Sequence, residues 1–180
     1  IAGPPLVTAT STLLGEGGTH PPTTKSTPVA TPPAATHVPT AASGTTHVLT
    51  VPGQDSGAHG RIMRYTVEVE DGAGVDEAEF ARTVRAVLTD KRGWETQDGV
   101  HFVNVAPEAA GRGEPVDVRI TLASPLTVDK MCAPLDTEGQ VSCRNGARVA
   151  INSRRWTEGV ESYAGDLARY RIYLINHEVG

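Results

Sequence analysis

The chain has 180 residues with a formal net charge of −5; 38% are hydrophobic and 4% aromatic. The charge is mild and unclustered, and no stripe of Lys/Arg with interleaved aromatics is present, which argues against a nucleic-acid partner. No apolar run approaches the ~20 residues of a membrane span.

These averages cover two unlike parts. From Ile1 to Pro52 the only charged side chains are Glu16 and Lys25, and nine of the 13 prolines fall there. Thr, Ala and Gly fill much of the rest. Such a segment buries too little apolar surface to offset roughly 1–2 kcal/mol of ordering entropy per backbone residue. Residues 1–55 therefore read as a disordered Thr/Pro/Ala-rich tether, with the composition of an O-glycosylated cell-surface stalk. Residues 56–180 have the size of one ordinary domain. Position 1 is isoleucine, so a signal peptide or membrane anchor upstream of it fits equally well.

In the domain, RIMRYTVEVEDG alternates, with Met63, Tyr65, Val67 and Val69 on one face and Arg64, Thr66, Glu68 and Glu70 on the other. This predicts a half-buried strand ending at Asp71-Gly72. Asp76 and Glu79 then form a capping box. Phe80, Val84, Val87 and Leu88 follow at helical spacing, with Gly93 as the expected terminator. Asp98-Gly99 turns the chain into VHFVNV, a further strand. PVDVRITLA alternates again, and Asn145-Gly146 between two β-type runs is a strong hairpin signal. Asp166 is placed to cap a last helix carrying Leu167, Tyr170, Leu174 and His177 near one stripe. The order β, α, β, β, hairpin, α predicts an α+β domain with a mixed sheet of about five strands and two main helices.

Cys132 and Cys143 are the only cysteines, 143 − 132 = 11 positions apart. The even count, short loop and neighbouring stalk favour a disulfide in an oxidising compartment, although two separate buried thiols fit the sequence as well. Trp94 and Trp156 are read as packing anchors in an aromatic-poor domain. His101, alone in a strand, is read as solvated or hydrogen-bonded rather than ligating; His20, His37 and His47 are too dispersed in the tether for a shared site.

The chain closes on LINHEVG. His177-Glu178 on a helix are the first two residues of the pattern H-E-x-x-H, in which two imidazoles one turn apart bind zinc and the glutamate acts as general base. Alternatively they are a surface pair in a last helical turn. Gly180 either lets the helix approach another element closely or ends it.

YTVEVEDGAGVD, DKRGW, CAPLDTEGQVSCRNGARVAIN and GDLARYRIYLINHEVG together resemble the actinobacterial domain-of-unknown-function family 3152, placed among zincin-like, metzincin-type metallopeptidases. The resemblance covers about Arg61 to Gly180. It implies a zincin-like fold and a secreted or membrane-tethered zinc peptidase acting on peptide or protein substrates. In it His177 matches the first zinc ligand, Glu178 the general base, and Cys132 and Cys143 the internal cysteine pair. The family pattern continues as H-E-x-x-H-x-x-G-x-x-H, so the chain is expected to be truncated within its motif. It lacks counterparts of the other two ligands and should neither hold zinc tightly nor cleave peptides. The competing reading is a non-catalytic cell-envelope binding or scaffolding domain on the same fold. On either reading the protein is expected at the cell surface or outside the cell, and truncation is expected to expose apolar surface near Leu174 and Val179.

Overall fold

In the computed structural model, which describes residues 38–180, the chain is an α+β domain built on one six-stranded mixed sheet. The strands are β1 (Thr46–Val48), β2 (Arg61–Glu70), β3 (Val100–Asn104), β4 (Val118–Ala123), β5 (Cys143–Asn145) and β6 (Arg148–Asn152). The helices are α1 (Glu77–Leu88), α2 (Trp94–Gln97), α3 (Pro107–Gly111), α4 (Pro125–Cys132), α5 (Ser153–Glu158) and α6 (Leu167–Val179), with a 3-10 turn at Glu161–Tyr163. The order is β1-β2-β4-β6-β5, and β3 pairs with the first half of β2. Strands β2, β3, β4 and β6 run parallel, while β1 and β5 are antiparallel at the two ends.

Local chemistry explains the boundaries. The Asp76 carboxylate accepts the Glu79 N–H at 2.8 Å, supplying the cap expected for α1. That helix stops at Leu88, however, with Thr89 as its C-cap, and Gly93 instead precedes α2. Asp166 accepts the Arg169 N–H at 3.0 Å and opens α6. Gly146 sits at φ +59° in the β5–β6 turn, a conformation that favours glycine. Cys132 and Cys143 form a disulfide joining the end of α4 to the start of β5.

One face of the sheet carries the main core. Tyr65, Val67, Val69, Ile120, Leu122, Val149 and Ile151 pack there against Phe80 and Val84 of α1, Trp156 of α5 and Leu174, Ile175 and Val179 of α6. The Phe80 and Trp156 rings meet edge to face at 4.9 Å. Leu174 and Val179 are themselves buried, while exposed apolar surface lies beside them at Ile172 and Tyr173. Arg171 ties the layer together: its guanidinium lies 4.4 Å from the Trp156 ring centroid and it bonds Glu79 of α1 at 2.7 Å.

The opposite face corrects the expectation of a half-buried strand. Thr66, Glu68, Glu70 and Thr121 are all buried. The α4 helix covers β6 on that side, with Val128, Ala150 and the disulfide in a second small cluster. The segment before β1 lies there too, since Leu126 N–H donates to Thr40 O and Ala42 N–H to Ser124 Oγ. The expected tether boundary at residue 55 is therefore too late, because Val38 and Leu49 are buried and Thr46–Val48 is a strand. Residues 1–37, with His20 and His37, lie outside the described residues.

The buried carboxylates are paired. Glu68 accepts from Arg119 at 2.9 Å, Arg148 at 3.0 Å, Thr66 at 3.0 Å and Thr121 at 3.1 Å. Glu70 accepts from Gly44 N–H, Thr127 Oγ1 and Ser124 N–H, each at 2.7 Å. Burial alone pushes both carboxyls up, and these donors outweigh it, leaving both below their ordinary value.

Candidate functional site

His177 and Glu178 lie in the last turn of α6 and line one open cleft of about 660 Å³. Its other walls come from Val141 and Ser142 ahead of β5, Arg155 of α5, and Tyr163, Tyr170 and Tyr173. The helix is rotated so that Tyr170, Leu174, Ile175 and Val179 enter the core. His177, outside that buried set, is exposed, and Glu178 is intermediate.

Sequence reasoning missed the aromatic support of His177. Tyr170, Tyr173 and His177 recur at i, i+3 and i+7, so they share one helix face. Tyr163 joins them from the 3-10 turn, 5.2 Å from Tyr170 and 5.7 Å from Tyr173. The His177 imidazole stacks on Tyr173 at 5.4 Å with 18° between planes. Three of the four tyrosines therefore surround this one cleft. Their spacing was visible in the sequence; the convergence of Tyr163 was not.

Burial pushes the Glu178 carboxyl above its ordinary value, and only the neighbouring charge of His177 opposes the shift. A carboxyl raised in this way is a better proton acceptor near neutral pH than an exposed one. The wall facing it is pinned. Asn152 N–H donates to Ser142 Oγ at 3.0 Å, its side-chain amide donates to Gly139 O at 3.1 Å, and Arg155 donates to Gln140 O at 2.5 Å. Arg144 of β5 donates to Val179 O, linking this strand to the end of α6. Among the described residues β5 pairs only with β6, so its outer edge is open.

No group of three or more His, Cys, Asp or Glu side chains positioned for a metal occurs among the described residues. The cleft presents one imidazole, stacked on Tyr173 and without a hydrogen bond among the described residues, beside one carboxyl of raised pKa. His101 lies elsewhere and bonds Asp55 at 2.8 Å. His47, on β1, sits between Asp71 at 2.6 Å and Glu77 at 3.3 Å. A separate groove of about 680 Å³ between α1 and α6 contains Arg82, Arg92 and Arg171 but neither His177 nor Glu178. Arg92 is already paired with Asp90 and Arg171 with Glu79. No described helix is long and apolar enough to cross a membrane.

No curated protein and no solved structure matches the chain. Residues 32–180 match the model of a family described as a protein of unknown function, DUF3152, and the chain belongs to that family.

Proposed function

We propose that this domain belongs to a zincin-like, zinc-dependent peptidase acting outside the cell or at its surface, with Glu178 as general base. The supporting observation is that His177 and Glu178 line one cleft whose rim includes the residues leading into an open sheet edge, with the Glu178 carboxyl raised by burial. The disulfide is in keeping with an oxidising compartment.

On this reading His177 is the first zinc ligand, and the two others follow Gly180 in the family pattern H-E-x-x-H-x-x-G-x-x-H. His177, with two further ligands, would hold the zinc ion, which would supply a Lewis acid and a bound water of pKa lowered to about 7. The chain's own residues supply the rest. Glu178 accepts a proton from the attacking water and returns it to the leaving amine. The raised pKa makes Glu178 a stronger base toward the water proton than an exposed carboxylate. Tyr173 stacks on the His177 ring and limits its rotation. The open edge of β5 offers backbone groups to an extended substrate, which would add as a further strand.

The test is zinc content. A longer product, this chain extended past Gly180 by the rest of the family pattern, is expected to carry one zinc per chain and to lose it on His177→Ala. A product with no zinc after reconstitution would sink this reading and favour a non-catalytic cell-envelope binding domain.

A further inference from the structure

The two motif residues face the cleft, while their neighbours on the helix face Trp94. Asn176 and Gly180 are four positions apart, one helical turn, so they share one side of α6, that of Trp94. The indole Nε1–H of Trp94 donates to Asn176 Oδ1 at 2.8 Å. At Gly180, a β-carbon would lie 2.9 Å from Trp94 Cη2 and 3.4 Å from Cζ2. Side chains do not approach that closely, so a methyl there requires something to move. The indole is not a free flexible end, because its N–H bond to Asn176 holds the ring against the helix. Trp94 is itself fixed by its place in α2, between the α1 core helix and β3.

We propose that Trp94 is a positioning residue for the His177–Glu178 pair: it sets the rotation and depth of the end of α6, which is why position 180 is glycine. Its functional meaning rests on the peptidase reading, whereas the positioning itself does not. The hydrogen bond at Asn176 and the close approach at Gly180 bracket the motif on both sides. A rotation of α6 that relieved one contact would strain the other. Arg144, which donates to Val179 O from the β5 side, completes the clamp.

The experiment uses this chain, with backbone amide NMR and hydrogen exchange as readouts, so it requires neither zinc nor catalysis. Gly180→Ala should displace α6, shifting the amides of His177 to Val179 and, across the cleft, of Ser142 and Arg144. Trp94→Phe removes the ring atoms a methyl would meet. In the Trp94→Phe/Gly180→Ala double variant the Ser142 and Arg144 shifts should therefore return most of the way to those of Trp94→Phe alone. Trp94→Phe by itself also removes the bond to Asn176, and exchange at His177 to Gly180 should speed up about tenfold while that of Tyr170 stays unchanged. Because Trp94→Phe is a conservative cavity-forming change, it keeps a test available if Gly180→Ala does not fold. Shifts confined to residues 93–97 on Gly180→Ala would mean that the indole yields and the helix does not, which overturns the proposal. Unchanged exchange at residues 177–180 in Trp94→Phe would do the same. Zinc content of the longer product decides the peptidase reading separately.

Discussion

Two glutamates show how this domain treats buried charge. Glu68 lies in the middle of the sheet with its side chain 4% exposed, and two arginines and two threonines donate to it. Glu178 is half-buried at the end of α6 with no compensating donor, and burial leaves its carboxyl raised. Both lose hydration on folding, but the fold repairs that loss only at Glu68. Paired burial of this kind organises a sheet face, whereas unpaired burial leaves a group ready to exchange a proton. The contrast marks Glu68 as structural and accords with the general-base role proposed for Glu178.

Removing the paired carboxylate should have one of the two largest effects on stability. Glu68→Ala leaves Arg119 and Arg148 without their acceptor and should cost about 2–3 kcal/mol in urea unfolding. The range for a fully buried pair is higher, but both arginines reach solvent. Glu178→Ala in the same assay should lower stability by less than about 0.5 kcal/mol, the usual range away from paired or core positions. Equal losses at the two positions would erase the distinction.

Next comes the disulfide beneath the polar face. Its 11-residue separation predicts a loss of about 2–3 kcal/mol on Cys132→Ser/Cys143→Ser, by the chain-entropy account. Calorimetry of the oxidised chain and the double variant measures it. A loss below 1 kcal/mol would mean that the α4–β5 connection is held by its other contacts.

The two carboxyl environments also predict opposite pH dependence. Glu68 and Glu70 have folded pKa values below the ordinary 4.5. Their contribution is present above pH 4.5 and is lost as pH falls through those lower values. Glu178 is raised above 4.5, so its contribution is complete below pH 4.5 and is lost as pH rises through the raised value. Glu178→Gln should therefore unfold at a slightly higher temperature than the wild type at pH 7 and at the same temperature at pH 4. A lower melting temperature at pH 7 would show that the ionised carboxylate has a stabilising partner.

Most of the main-core side of the domain was legible in sequence, because its signals are local. Asp76 and Asp166 announce their helices, Asn145-Gly146 its hairpin, and the apolar stripes their buried faces. The polar face was not legible. Alternation cannot distinguish a strand facing water from one whose polar residues meet partners 51 to 80 positions away, as Glu68 meets Arg119 and Arg148. The strand at Thr46–Val48 was hidden for the same reason, since nothing in its Thr-rich surroundings marks a segment that finds Glu68 to Glu70 as partners. Helix α4 begins at Pro125, a residue suited both to turns and to the first position of a helix, so the sequence alone does not mark it. At the candidate site, the motif and the aromatic spacing along α6 were visible, while the contacts of Trp94 with Asn176 and Gly180, across 82 and 86 positions, required the fold.

The central claim, that Glu178 is unpaired because it carries chemistry, is tested most directly by Glu178→Gln in a product extended past Gly180 by the rest of the family pattern. With zinc content and fold unchanged, cleavage of an unfolded protein substrate should fall by about 10²–10⁴-fold, the range for loss of a general base. Cleavage that survives the substitution at the wild-type rate would contradict the account.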